Sequence, residues 1–125
     1  MTGLTRSVLI VDDEILIVMG FRTQVEAMGL PVCGTAATAD QAVSLAQKHR
    51  PAVVLMDLRL LGEKDGVDAA LSIHDTVGSK VIFITGSREP ATIKRIHSDH
   101  PFAVLFKPIS EQELESTIAQ AMAAS

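Results

Sequence analysis

The stretch Val53-Val54-Leu55-Met56-Asp57 is a continuous apolar run that ends in an acid. Continuous apolar runs, as opposed to alternating ones, are typical of strands that are covered on both faces, as in a parallel sheet. Three other runs have this character, at residues 8–11, 80–84 and 102–106, and a weaker run at 31–36 carries a proline and a glycine that suit an edge strand. The sequence therefore predicts a sheet of five strands.

Segments with helical periodicity lie between these runs and after the last one. The first begins at Ile15, includes Val18 and Met19 in its apolar repeat, and ends near Gly29. The others are predicted at residues 40–49, 65–75 and 90–98 and from residue 110 onward. Strand and helix alternate five times, so we predict an α/β fold, a doubly wound (βα)5 unit with a parallel sheet and right-handed crossovers.

The composition indicates one ordinary globular domain. The chain has 125 residues, of which 47% are apolar and 21% are charged, and its net charge is −4. That charge gives no electrostatic reason to expect binding to nucleic acid or to an anionic membrane, and no apolar run approaches the roughly 20 residues that span a bilayer. The N-terminus lacks the features of a secretory signal, and the single cysteine, Cys33, has no internal partner. We therefore expect a cytoplasmic protein.

Reactive side chains follow four of the five runs. Asp12 and Asp13 follow the first run, and Asp57, Thr85 and Lys107 follow the third, fourth and fifth. In open α/β sheets, ligands bind beyond the carboxyl ends of the strands, where the strand order reverses. If the order is 2-1-3-4-5, these four strands are neighbours about 4.8 Å apart. Three carboxylates, a hydroxyl and an ammonium would then share one pocket.

This set of groups suits a magnesium ion and a phosphoryl group. Close carboxylates raise each other's pKa values, and a hard divalent cation removes that conflict. A carboxylate can also accept a phosphoryl group, a transfer that depends on positioning and charge neutralisation. Asp57 is the best candidate for the acceptor, and Asp12 and Asp13 for metal ligands. Lys107 and Thr85 would contact the phosphoryl oxygens.

The motifs Asp12-Asp13, Asp57, Thr85-Gly86 and Lys107-Pro108 resemble those of response-regulator receiver domains, and they are spread over the whole chain. The resemblance implies the flavodoxin-like, CheY-like strand order 2-1-3-4-5. It also implies a Mg²⁺ ion held by Asp12, Asp13, Asp57 and the backbone carbonyl of Arg59. By the same resemblance, the Lys107-Pro108 bond is cis, and Asp57 receives its phosphoryl group from a histidine kinase or a histidine phosphotransfer protein.

The sequence departs from the common receiver pattern in the loop after Asp57 and in the fifth strand. Leu61 stands where receivers usually have proline, and Gly66 comes one residue late, so the loop is one residue longer. Val104 stands where the fifth strand usually carries Tyr or Phe. Phe83-Ile84-Thr85-Gly86 resembles the FAT GUY subgroup of receivers, which also lacks that aromatic residue. We therefore expect the phosphorylation signal to leave through displacement of the fourth helix, without an aromatic switch.

The resemblance further implies a bacterial two-component response regulator that is a phosphoacceptor switch and not an enzyme. We expect residues 1–125 to form one receiver domain without an output domain, with a domain from a longer chain as the alternative. The downstream partner would be a protein that docks on the fourth helix, fifth strand and fifth helix. A homodimer that forms on phosphorylation stays open.

Three other functions stay open. A magnesium-dependent phosphatase with an aspartate nucleophile would have Asp-x-Asp after the first strand, where this chain has Asp12-Asp13-Glu14. A nucleotide or flavin binder would need a glycine-rich or hydroxyl-rich phosphate loop at that place. The third is a receiver-like module that docks without being phosphorylated.

Some of these residues also have plainer interpretations. Asp12 or Asp13 could cap the first helix, where an acid is favourable. Glu14 could contact the metal through water, although a solvated helix position explains it better. His97 and His100 are spaced like a metal pair, but the polar end of a short helix is the simpler interpretation.

Overall fold

Five parallel strands and five helices alternate along the chain in the computed structural model, which describes residues 3–124. The strands are β1 (Thr5–Val11), β2 (Val32–Ala36), β3 (Pro51–Asp57), β4 (Lys80–Thr85) and β5 (Ala103–Phe106). The helices are α1 (Ile15–Ala27), α2 (Ala39–His49), α3 (Gly66–Thr76), α4 (Pro90–His97) and α5 (Glu111–Ala123). The strands form one sheet in the order β2-β1-β3-β4-β5, which confirms the predicted α/β fold.

Two apolar layers lie on opposite faces of the sheet. Side chains alternate between the faces along each strand, so the continuous apolar runs bury residues on both sides. On one face, Met56 and Phe83 lie in a cluster with residues of α2, α3 and α4. On the other face, Leu55 and Ile82 lie in a cluster with residues of α1 and α5. Because helices cover both faces, a ligand must enter at an edge of the sheet.

The first turns of α1 expose apolar side chains. Ile15, Leu16 and Met19 are 69%, 79% and 56% exposed, whereas Val18 and Val25 are buried in the core. The repeat predicted from Ile15, Val18 and Met19 would turn all of them toward the core, and for Ile15 and Met19 that prediction is wrong. Residues four apart are neighbours on a helix surface, so Ile15, Leu16 and Met19 form one exposed apolar patch on α1.

The loop between β3 and α3 brings the start of α3 against the end of β3. Gly66 N donates a hydrogen bond to Leu58 O at 2.7 Å. A Cβ atom on Gly66 would lie 2.1 Å from Asp57 O, so only glycine fits this close approach. Leu61 N donates to Ala37 O at 3.0 Å. The residues of this longer loop are thus accommodated by pairing with the connection between β2 and α2.

Helix α3 begins with a capping box that also contacts α4. Asp65 accepts a hydrogen bond from Asp68 N, and the Asp68 carboxylate accepts one from Asp65 N at 3.0 Å. Arg95 of α4 donates to both carboxylates, with a distance of 3.2 Å to Asp68 Oδ1. These ionic contacts join α4 to α3, and Ile96 is the one buried residue of α4.

The connection after β5 contains the cis peptide bond between Lys107 and Pro108 that the receiver resemblance implies. Lys107 N donates to Thr85 O at 2.9 Å, which keeps the ends of β4 and β5 together. Ser110 caps α5 by accepting a hydrogen bond from Glu113 N at 3.0 Å. Among residues 3–124, no helix combines the length and the apolar character that a membrane span needs.

Candidate functional site

A cavity of about 640 Å³ opens at the carboxyl edge of the sheet. Its lining includes Asp13, Asp57, Arg59, Thr85 and Lys107, all of which the sequence analysis selected. The strands that carry or precede these residues, β1, β3, β4 and β5, are neighbours in the sheet. The strand order therefore brings these distant parts of the sequence into one site.

The acids Asp12, Asp13 and Asp57 form a cluster beside this cavity. One carboxylate oxygen from each can be chosen so that all lie within 4.8 Å of one another. Asp12 and Asp57 are buried, and Asp13 is exposed. Asp12 Oδ1 accepts a hydrogen bond from Glu14 N at 2.9 Å, but Asp12 Oδ2 is buried and has no hydrogen-bond partner among the described residues. A buried acceptor without a donor is costly, and a cation would satisfy it.

Burial disfavours the charged forms of the acids in this cluster. It raises the pKa of Asp57 from 3.8 to about 6, with a further contribution from the neighbouring Asp12 charge and an opposing one from Lys107. Burial also raises the pKa of Asp12, against the hydrogen bond from Glu14 and the charge of Lys107. Perturbed pKa values cluster at functional sites, and a cation beside Asp12 and Asp57 would favour the charged forms of both carboxylates.

Lys107 and Thr85 approach the cluster from β5 and β4. Lys107 Nζ lies 3.5 Å from Asp57 Oδ1 and 3.7 Å from Asp12 Oδ2. The longer distance lies beyond hydrogen-bond range, which is why Asp12 Oδ2 lacks a donor although it forms an ion pair. Thr85 is buried, and its Oγ1 accepts a hydrogen bond from Ser87 N at 3.1 Å. The hydroxyl of Thr85 is thereby linked to the loop that leads into α4.

Arg59 and Glu14 lie at the mouth of the cavity with exposed side chains. The role of the Arg59 carbonyl as a metal ligand stays a prediction. Glu14 occupies the N-cap position of α1 and no side chain caps that helix, so the capping role considered for Asp12 or Asp13 is wrong. Within residues 3–124, Asp12, Asp13 and Asp57 are the only set of three or more potential metal ligands brought together. His97 and His100 belong to no such set.

Phe106 and Arg88 are two residues near the cavity that sequence analysis did not identify. Phe106 pairs with Thr85 in the β4–β5 register, so the two side chains point to the same face of the sheet. The Arg88 guanidinium lies over the Phe106 ring, 4.2 Å from its centre. Aligning the ends of β4 and β5 could have identified Phe106. No sequence pattern could have identified Arg88, because its position depends on the conformation of the loop.

Comparisons with known proteins agree with this geometry. The sequence matches the family described as response regulator receiver domain over residues 8–119. It is 32% identical over 117 residues to the transcriptional regulatory protein PdtaR of Mycobacterium tuberculosis, an alignment that covers 94% of this chain and 57% of PdtaR. It is 31% identical to the polar-differentiation response regulator DivK of Brucella ovis, with 92% of this chain and 94% of DivK covered.

A solved structure shows the same architecture. The chain is similar to the signal receiver domain of a modulated diguanylate cyclase from Desulfovibrio desulfuricans, with a TM-score of 0.88, 34% identity and 94% of both chains covered. The chain spans about half of the length of the first curated relatives that it matches, PdtaR included.

The fold and the site together define a class of protein, a doubly wound α/β domain with an acidic pocket at the carboxyl edge of its sheet. The family match covers most of the chain, and the chain belongs to the response regulator receiver domain family. Its general role is therefore that of a phosphoacceptor domain in two-component signalling.

Proposed function

We propose that Asp57 accepts a phosphoryl group from a histidine kinase or a histidine phosphotransfer protein. The observation that carries this proposal is the position of its buried carboxylate, 3.5 Å from Lys107 Nζ and in one cluster with Asp12 and Asp13. An acid with a raised pKa that shares a cavity with the ammonium group of a lysine is a candidate for a reactive role.

The transfer is a displacement at phosphorus. An Asp57 carboxylate oxygen attacks the phosphorus atom of a phosphohistidine, the phosphorus–nitrogen bond breaks, and its electron pair stays on the imidazole nitrogen. The product is an acyl phosphate on Asp57. We assign to Lys107 an ionic contact with one phosphoryl oxygen and to Thr85 a hydrogen bond donated to another.

The acidic cluster fits a magnesium ion. Asp12 Oδ2 is buried without a hydrogen-bond partner among the described residues, and hard oxygen ligands are those that magnesium prefers. Asp12, Asp13, Asp57 and the backbone carbonyl of Arg59 would hold it. When bound, the ion would supply the positive charge that neutralises the carboxylates and the phosphoryl oxygens during transfer.

The protein that donates the phosphoryl group must cover the mouth of the cavity, because its phosphohistidine has to reach Asp57. The exposed apolar patch on α1 adjoins that mouth, since Asp13 and Glu14 line the cavity and Ile15 follows them directly. An apolar patch beside a reactive pocket indicates an interaction surface. We therefore assign the α1 patch to the docking of the phosphodonor protein.

The output would begin at Thr85. Its Oγ1 accepts a hydrogen bond from Ser87 N at 3.1 Å, and Ser87 lies in the loop before α4. When Thr85 turns toward a phosphoryl oxygen, residues 86–89 would move with it and displace α4. The target protein would then bind the face formed by α4, β5 and α5.

Locating the phosphoryl group tests the proposal. The chain is incubated with acetyl phosphate and magnesium, and the acyl phosphate is reduced with borohydride, which converts the modified aspartate into homoserine. We expect the modification at Asp57, and we expect it to fall sharply with excess EDTA and in the double variant Asp12→Ala/Asp13→Ala. Modification of a different residue, or equal modification with EDTA, would refute the assignment.

A further inference from the structure

We propose that Arg88 is a second cationic ligand of the phosphoryl group. Its guanidinium rests on the Phe106 ring until Asp57 is phosphorylated. The inference deepens the proposed function and depends on it. Three observations carry it: the guanidinium lies 4.2 Å from the centre of the Phe106 ring, Arg88 lines the cavity that contains Asp57, and its loop is tied to Thr85.

The charges of the pocket leave a place for one more cation. In the unphosphorylated pocket, Lys107 lies beside the three carboxylates, and the proposed magnesium ion would balance the remaining negative charge. A phosphoryl group on Asp57 replaces one negative charge by about 1.5 to 2. The phosphorylated pocket therefore attracts a further cation at its mouth, and Arg88 is a permanent cation in its lining.

Arg88 is free to make this move. Among residues 3–124, no carboxylate lies within ion-pair distance of its guanidinium. Its one specific contact with these described residues is the stacking on Phe106, and Arg88 is exposed. A cation–π contact at an exposed site is weaker than a charge-assisted hydrogen bond to a phosphoryl oxygen. Arg88 therefore leaves the Phe106 ring and binds the phosphoryl group.

The resting position of Arg88 is connected to the residue that senses the phosphoryl group. Phe106 is the register partner of Thr85 on β5, and it directly precedes Lys107. Ser87, the residue before Arg88, donates its N–H to Thr85 Oγ1 at 3.1 Å. Rotation of Thr85 toward the phosphoryl oxygens therefore carries the Arg88 backbone toward the cavity as well. Phe106 thus takes part in the response as a support for a cation.

The affinity for beryllofluoride, a phosphoryl analogue, tests the assignment. Wild type and the variants Arg88→Gln, Arg88→Lys and Lys94→Gln are titrated with beryllium fluoride in saturating magnesium, and binding is followed by amide NMR shifts. Lys94→Gln is the matched control, because it removes an exposed positive charge from neighbouring α4, and Lys94 does not line the cavity.

We expect Arg88→Gln to bind beryllofluoride about tenfold more weakly, the loss of one hydrogen bond between charged groups. Arg88→Lys should recover part of the affinity, and Lys94→Gln should stay within about twofold of wild type. Magnesium affinity without beryllium fluoride should be the same in all variants, because Arg88 then rests on Phe106 and does not contact the metal ligands. In wild type, the Arg88 side-chain protons should lose the ring-current shift of Phe106 when beryllofluoride binds.

Equal beryllofluoride affinity of wild type and Arg88→Gln would overturn the assignment, as would an Arg88 ring-current shift that persists in the complex. A tenfold loss of beryllofluoride affinity in Arg59→Gln with no loss in Arg88→Gln would also overturn it. The second cation would then come from the loop between β3 and α3. If wild type itself fails to bind beryllofluoride in magnesium, the proposed phosphoacceptor function falls as well, which distinguishes the two failures.

Discussion

Gly66 sets how closely α3 approaches the residue that we propose as the phosphoacceptor. A Cβ atom at this position would lie 2.1 Å from Asp57 O and 3.1 Å from Leu58 Cα, both of them backbone atoms that cannot rotate away. We predict that Gly66→Ala lowers the free energy of unfolding by about 1 to 3 kcal/mol, as an overpacked site does. The shifted Asp57 should also react more slowly with acetyl phosphate. Urea denaturation and a phosphorylation time course measure the two effects.

Gly20→Ala is the matched control for this substitution. Gly20 lies within α1, and no atom lies within 4 Å of an added Cβ. Its replacement by alanine should raise the free energy of unfolding by about 0.5 to 1 kcal/mol through helix propensity. If the two variants have the same stability, the close contact at Gly66 does not constrain the fold as described.

The candidate site residues could be predicted together because they follow neighbouring strands and their chemistry is complementary, although each of them alone is a weak signal. Asp57 and Lys107 needed only the strand order to be placed in one pocket. Arg88 and the capping box of Asp65 and Asp68 could not be predicted, because both depend on loop conformations. The capping box uses two aspartates, which the common Ser/Thr and Glu/Gln pattern does not describe.

At the scale of elements, α4 is the helix best suited to move. It has eight residues, it buries Ile96 alone, and its other specific attachment is the pair of ionic contacts from Arg95 to α3. We predict that beryllofluoride causes its largest NMR shifts outside the pocket in residues 86–106. Arg95→Gln should enlarge the shifts of α4, because a helix with fewer contacts is displaced more easily.

Val104→Ala is the complementary variant for this prediction. Val104 packs on the layer that contains Ile96, but it is too small to act as an aromatic switch. The beryllofluoride response should therefore survive in Val104→Ala. Loss of the response in that variant, or largest shifts outside residues 86–106, would contradict the proposed route through α4.

The apolar patch on α1 leads to a prediction about the phosphodonor. Leu16 is 79% exposed, so its replacement by serine removes apolar contact area at little risk to the core. We predict that Leu16→Ser slows phosphorylation by any kinase or phosphotransfer protein that phosphorylates wild type, by roughly tenfold if Leu16 is a central contact. Phosphorylation by acetyl phosphate should not change, because that donor needs no docking surface.

Leu71→Ser serves as the control, since Leu71 is an exposed leucine of α3 that does not line the cavity. An equal loss of phosphorylation rate with both variants, or an equal effect of Leu16→Ser on the reaction with acetyl phosphate, would argue against docking on α1.

The apolar patch on α1 is also the place where the predicted apolar repeat was wrong. The apolar repeat correctly indicated a helix at α1, but Ile15 and Met19 face solvent while Val18 and Val25 make the core contacts.

At the scale of the whole molecule, the acidic cluster should reduce stability when no cation is bound. The folded protein raises the pKa of Asp57 from 3.8 to about 6, so it binds the Asp57 proton more tightly than the unfolded chain does. Stability is therefore greatest below about pH 4 for this group and falls as the pH rises from about 4 to 6. At neutral pH the loss amounts to about 2 to 3 kcal/mol.

We predict that metal-free Asp57→Asn is more stable than wild type at pH 7.5 by about that amount. The difference should shrink toward zero as the pH falls to about 3, where Asp57 is largely protonated in both the folded and the unfolded wild type. Magnesium should restore wild-type stability, by about 2.7 kcal/mol at a hundredfold excess over its Kd. Urea denaturation at several pH values, with and without magnesium, measures these differences. Equal stability of the two proteins at every pH would contradict this account of the cluster.

The proposed function depends on Asp57 as the phosphoacceptor of the domain. Its most direct test is the intact mass of wild type and Asp57→Asn after incubation with acetyl phosphate and magnesium, with amide NMR spectra to show that both are folded. We expect one added phosphoryl group on wild type and none on the variant, because the amide cannot act as the nucleophile. A phosphorylated variant in comparable yield, or an unmodified wild type, would contradict it.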